Sequence, residues 1–277
     1  MSHSNKYHIE KIKLFSDNKF VDKVEVDNLN SVIKKLSDIL DAPPQFIIQM
    51  EGEDKPVFDT YIESLLNEIV YSIRKVISSV KNVETYHMLS FYSNYYEDRE
   101  FSGFLTDIYA KEFWGKTEIA YIRMASTWDR IGQLLSFIFF NIRQYDREGF
   151  LSTVQQIHIN IIPMYEKLKT SDSWKSVWEY SKKEDIEGLK WMLLRRNLII
   201  HQVSLKNVSY LDGDEVDDLF DSLHNHILDN TIKKKLKPLN KEEEKNQLLF
   251  HFEKLFEIIN DIYNICDIGL EKIPRIK

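Results

Sequence analysis

A single cysteine, Cys266, in a chain of 277 residues excludes an internal disulfide and any thiolate metal cluster built within one copy. Glycine and proline are also scarce, eight and six respectively. A β-rich or loop-rich fold needs turn residues in greater supply, so the shortage points to helices. No apolar run is long enough for a membrane span; the nearest, around Leu134 to Phe140, is too short. The first residues, Met1-Ser2-His3-Ser4-Asn5-Lys6, lack the apolar stretch of a secretion signal, so a cytoplasmic protein without a membrane partner is expected. Positive charge is not in excess either. A net charge of −7 argues against a broad surface holding nucleic acid by counterion release, while leaving room for a local cleft that grips a few phosphates. With no glycine-rich phosphate loop and no Gly-x-Ser-x-Gly elbow, neither an NTPase nor a serine hydrolase is expected.

What the chain does have is apolar surface: 43% hydrophobic and 13% aromatic residues, ample for a sizeable core. Residues 1 to about 55 alternate apolar and polar in Tyr7 to Phe15 and Phe20 to Val26, as in two half-buried strands around a Ser-Asp-Asn turn. A short helix follows, which Pro43-Pro44 stops. An N-terminal appendage over 1–55, a β-hairpin plus a short helix, is therefore expected. From Val57 the period becomes helical, with Phe58, Ile62, Leu65, Ile69, Ile73 and Val76 on one stripe. The aromatic stretch His87 to Phe104 reads as an irregular connection ending near Gly103. A long helix is expected from about Leu105 to Arg143, broken near Trp114-Gly115, with Ala125, Ile131, Leu134, Leu135 and Ile138 inside. Further helices are expected over Leu151 to Leu168, bent by Pro163, over Glu184 to Leu205 and over Lys241 to Glu271. The pattern predicts an all-α bundle of four to six helices over 56–277, with a charged insertion at about 206–240 that is acidic and then basic.

One helix carries polar residues where apolar ones belong: Arg195-Arg196-Asn197-Leu198-Ile199-Ile200-His201. At about 100° per residue, Arg196 shares a stripe with Leu189, Met192, Leu193 and Ile200, and His201 shares one with Trp191, Leu194 and Leu198. A buried guanidinium without a partner is very costly, so Arg196 should meet an acceptor, a partner chain or a phosphate. Asn197 lies one turn before His201 and can hydrogen-bond the imidazole or a ligand. Arg195 reads either as a phosphate ligand or as a plain surface ion pair, the second being preferred. Asp129, on an earlier helix, is the candidate acceptor facing the motif; the equal alternative is a surface carboxylate paired with Arg130 or Arg123.

The pattern Arg196-Asn197-x3-His201, late in an all-helical chain, resembles the signature of the HEPN superfamily. That resemblance implies a helical bundle, usually a homodimer, in which two motifs face each other across a cleft. It also implies metal-independent endoribonuclease activity with no cofactor, in defence or toxin–antitoxin settings where an antitoxin or regulatory protein is a partner; other members are non-catalytic interaction modules. On this basis Arg196, Asn197 and His201 are expected to be catalytic, with Asp129 and Arg195 in support. His201 would take the proton from a ribose 2′-OH or deliver one to the leaving 5′-oxygen. Arg196 would stabilise the added charge of the phosphorane-like transition state, and Asn197 would orient the imidazole or the phosphate. The products would be a 2′,3′-cyclic phosphate and a 5′-hydroxyl. The resemblance accounts for neither residues 1–55 nor 206–240.

Other signals are weaker. His224-x-His226 diverges on a helix and has no third ligand nearby, and Asp212-Gly213-Asp214 has the wrong spacing for a calcium loop, so no metal is expected. His158 and His251 read as core or surface histidines. Trp174, Trp178 and Tyr180 read as helical core packing in preference to base stacking. Two rival functions stand beside the ribonuclease: a HEPN-type interaction module, and an unrelated helical protein in which Arg196 simply pairs with Asp129.

Overall fold

The computed structural model describes residues 55–95, 98–140, 149–201 and 239–272. These form seven α-helices: α1 (Lys55–Tyr92), α2 (Arg99–Phe140), α3 (Phe150–Asn160), α4 (Glu166–Thr170), α5 (Asp172–Lys182), α6 (Leu189–His201) and α7 (Lys241–Lys272). Two 3-10 turns, Ser93–Tyr95 and Ile162–Met164, join them, and no strand occurs among the described residues. The described residues form an all-α bundle. The hairpin expected within 1–55 lies outside the described residues, apart from Lys55, and so does nearly all of the charged insertion, together with its histidine pair and Asp-Gly-Asp run.

The apolar stripe sets the first packing step. Ile69, Ile73, Val76, Val80 and Val83 are buried on one face of α1, and that face lies along α2. The two helices run antiparallel, since Ser72 bonds Thr127 (2.7 Å), Ser79 bonds Arg123 (2.7 Å) and Ser93 bonds Thr106 (2.7 Å). Helix α2 has no comparable polar face over its length: Phe113, Tyr121, Met124, Trp128, Ile131 and Leu135 are all buried. A helix buried on several sides belongs at the centre of a bundle. Around it pack α1, α3, α6 and α7.

Helix α7 is fixed at both ends. Asn240 accepts from the backbone N–H of Glu243 (2.9 Å), while Glu243 reaches back to the N–H of Asn240 (3.3 Å), a reciprocal capping box. Its first turn is tied to α1 by His87 and Glu242 (2.9 Å), and near its far end Tyr165 donates to the Ile268 carbonyl (3.1 Å). Midway, His251 is buried: its Nδ1 meets the Tyr180 hydroxyl (3.0 Å) and its Nε2 the Ile186 carbonyl (3.0 Å).

Several boundaries differ from the sequence expectation. Helix α1 continues through His87 to Tyr92, so the connection falls at 93–98 and Gly103 lies inside α2. Helix α2 also runs unbroken through Trp114-Gly115, where the neighbouring Phe113, Trp114 and Thr117 are buried and packing outweighs glycine's low helix propensity. Pro163 ends a helix outright: α3 stops at Asn160, and the proline sits in the turn before α4. Helix α5, capped by Ser171, was not delimited by the periodicity. Helix α6 begins at Leu189 and not at Glu184. The chain folds back so tightly at Gly188 that a Cβ there would lie 2.0 Å from the Lys183 carbonyl oxygen. A second close approach occurs where α2 meets the start of α3: a Cβ on Gly132 would lie 2.8 Å from the Phe150 Cα.

Candidate functional site

Consecutive arginines on a helix point about 100° apart, so Arg195 and Arg196 cannot share one environment. Arg195 is the buried one. It sits between Met192 and Ile199 on the inward stripe of α6, and no part of its side chain reaches solvent. Its Nε donates to Glu244 Oε1 (3.3 Å) and its Nη2 to Glu244 Oε2, a bidentate pair in which both side chains are 0% exposed. The guanidinium carbon also lies 5.5 Å from the centre of the Trp191 ring. Arg195 is thus neither at the surface nor free for phosphate, contrary to both sequence readings. The reason is Glu244, which stands on the inward stripe of α7 one turn before Leu248. Beside this pair, burial and then the Glu244 charge push the Tyr121 hydroxyl well above its usual range.

Arg196 faces the other way and is 29% exposed. Its Nη1 donates to Asn197 Oδ1 (2.7 Å), and its Nη2 stands 4.0 Å from Asp129 Oδ2, too far for a direct hydrogen bond. Among the described residues its Nε is buried without a hydrogen-bond partner. The neighbouring cations of α2 are occupied elsewhere: Arg123 with the Lys75 carbonyl and Ser79, Arg130 with Glu68 and Gln133. Asp129 lies against Gly149, where an added Cβ would stand 3.2 Å from its Oδ1. Burial raises the Asp129 carboxyl above the usual range, opposed by Arg196 and Arg130. The fold therefore brings Arg196, Asn197 and Asp129 together. His201 closes α6, roughly 7.5 Å further along the axis at about 1.5 Å per residue; its imidazole lies outside the described side chains.

A cleft of about 310 Å³ opens beside this group, between α6 and the start of α3. Leu151, Trp191, Leu193 and Leu194 form its apolar wall. Asn197 lies on its rim with Lys190 and Glu184, which pair with each other (2.9 Å). Sequence reasoning missed both the cleft and Glu244. The usable signal for Glu244 was an acidic residue on an apolar stripe, the counterpart of an arginine on another.

The remaining candidates resolve into packing. His251 stacks on Trp191 (5.6 Å, 10°), and burial lowers its pKa to about 4, so the ring is neutral near pH 7. Trp174 and Tyr180 are buried, and half-buried Trp178 stacks on His158 at 3.8 Å. Among the described residues no group of histidine, cysteine and carboxylate side chains is placed to hold a metal ion, and no helix is long and apolar enough to cross a membrane. No protein-family model matches the chain, and no curated protein or solved structure shows detectable similarity to it.

Proposed function

We propose that the α6 site binds the phosphodiester backbone of RNA and cleaves it without a metal ion, in the manner of the HEPN-type ribonucleases that the motif resembles. The observation carrying this reading is the state of Arg196. Its guanidinium is part-exposed, stands 4.0 Å from the Asp129 carboxylate and, among the described residues, keeps a buried Nε without an acceptor. A guanidinium has more donors than these contacts use, and a phosphate would take them bidentately. Arg196 then stabilises the charge that develops on the phosphorus oxygens. Asn197 holds the guanidinium in place through its Oδ1. His201 supplies the base for the 2′-OH or the acid for the 5′-oxygen. One motif histidine per chain is thin for both tasks, and a homodimer bringing two copies of the motif together supplies the second. An antitoxin or regulatory protein is the natural restraint on such an activity.

The test is RNA cleavage by the full chain in EDTA, comparing wild type with His201→Ala and Arg196→Ala and mapping the product ends. Cleavage leaving 2′,3′-cyclic phosphates, lost in both folded variants, is the expected result. Equal cleavage by all three proteins, or none by any, would remove the catalytic reading. A second reading, a non-catalytic interaction module, is favoured by one observation: Leu193 and Leu194 are only half-buried on the wall of the cleft. Under it both variants stay folded and lose self-association, with no RNA cut at any stage.

A further inference from the structure

Between Glu68 and Glu84 helix α1 carries no carboxylate, and between Glu118 and Asp129 neither does α2. The antiparallel pairing sets these two stretches side by side, through Ser72 with Thr127 and Ser79 with Arg123. The α1 stretch turns Arg74, Lys75 and Lys81 to solvent, and half-buried Arg123 joins them from α2. In a chain with 44 acidic and 37 basic side chains, a surface so free of acid stands apart. Elsewhere cations are cancelled locally: Arg130, Lys175, Lys183 and Lys254 each pair with a carboxylate. On this strip the contacts are neutral. Arg123 donates to the Lys75 carbonyl (3.0 Å) and the Ser79 hydroxyl (2.7 Å), and Lys75 Nζ lies over the Tyr71 ring at 4.2 Å. Among the described residues none of these four cations has a carboxylate within ion-pair distance.

The strip also reaches the α6 site across one helix. Arg123 precedes Asp129 by six residues, about 9 Å along the axis and roughly a third of the way around it. Exposed Ser126 and half-buried Ile122 lie on the arc between them, and Asp129 stands 4.0 Å from Arg196. We propose that the strip is a track for the phosphate backbone of RNA, held by Arg74, Lys75, Lys81 and Arg123 and leading across α2 to Arg196. The proposal rests on the ribonuclease reading for its substrate and adds how the strand is held beyond the cleaved bond. An acidic protein repels a polyanion, so binding needs a place where positive charge is local and unopposed. Contacts from lysine and arginine to phosphates carry no base information, so the track is indifferent to sequence.

The test is fluorescence anisotropy of a labelled 2′-O-methyl oligouridine, which has no free 2′-OH to attack its own backbone, titrated with the full chain from 50 to 200 mM salt. With the four strip cations and Arg196 on phosphates, wild type should lose about 100-fold in affinity across that range, at a slope of about −0.7 per contact. The triple variant Arg74→Gln, Lys75→Gln, Lys81→Gln should lose only about 7-fold, and should bind more weakly at 50 mM. A control with the same loss of charge, Lys175→Gln, Lys183→Gln, Lys254→Gln, should keep the wild-type slope. No binding by wild type, an unchanged slope in the strip variant, or an equal fall in the control would overturn the proposal. So would polyglutamate binding tighter than the oligouridine, which would assign the strip to an acidic protein. The expected slopes without any cut in unmodified RNA would remove the nuclease reading and leave the track. Cleavage by wild type with equal slopes in all three proteins would do the reverse.

Discussion

The Arg195–Glu244 pair permits a sharp stability prediction, because both partners are sealed from solvent and bound through two hydrogen bonds. Removing one partner strands the other charge in the core. Arg195→Met or Glu244→Leu should therefore each cost about 3–5 kcal/mol, the usual effect of breaking a buried pair. For a chain of this size that is a fall of roughly 6–20 °C in Tm. Replacing both removes both charges and keeps the volume. The double variant should return to within about 1 kcal/mol of wild type, or exceed it, because a buried pair barely repays its own desolvation. The difference between the double variant and the summed singles should then be about 5 kcal/mol or more, and added salt should change it little. Urea unfolding followed by circular dichroism gives the four stabilities. A single variant costing under ~1 kcal/mol would mean that water reaches the pair, and a double variant as unstable as the two singles summed would mean that the residues act independently. Either result would refute the reasoning.

Two further predictions follow from the core. His251 is neutral when folded, with a pKa of about 4, whereas the unfolded chain protonates it near 6.5. The unfolded state thus binds the extra proton first, so this stability is full above about pH 6.5 and falls as the pH drops through 4. The loss approaches 1.4 kcal/mol per pH unit and totals roughly 3 kcal/mol, and His251→Gln should flatten the curve in urea titrations across that window. Glycine substitutions should split by position. Gly132→Ala places a methyl 2.8 Å from the Phe150 backbone and should cost about 1–3 kcal/mol in thermal unfolding. Gly115→Ala meets nothing within 4 Å and should gain up to about 1 kcal/mol from helix propensity.

The architecture was legible where periodicity ran long and unmixed. Ile69, Ile73, Val76, Ala125, Ile131 and Leu134 were placed inside by their spacing and are buried. Boundaries failed where aromatic and polar residues blurred the period, as over His87 to Phe104, or where one glycine was weighed above its neighbours, as at Trp114-Gly115. The site failed at a finer level. The spacing marked two adjacent arginines on a helix as unusual, but which one turns inward depends on where α7 returns, 49 residues later at Glu244. Local pattern carries the conflict, a charge on an apolar face, without naming the partner that relieves it. Asp129 was nominated from its own helix, and the fold sets it beside Arg196 at 4.0 Å. The cleft next to Asn197 could not be foreseen, because Leu151 reaches it from α3 through tertiary packing alone.

The hydrogen bonds of His251 have a spectroscopic consequence. Its Nε2 faces both the Ile186 carbonyl (3.0 Å) and the Gln247 amide nitrogen (3.2 Å), and its Nδ1 faces the Tyr180 hydroxyl (3.0 Å); the tautomer with the proton on Nε2 donates to the carbonyl and leaves Nδ1 to accept from Tyr180. In that tautomer the ring N–H is held against the turn that leads into α6. Such a buried imidazole proton should exchange slowly enough to appear far downfield in a proton NMR spectrum, clear of the amide envelope. It would report on that turn alone. Loss of the signal before global unfolding would time the local release of the motif helix, separating the opening of the site from the melting of the bundle.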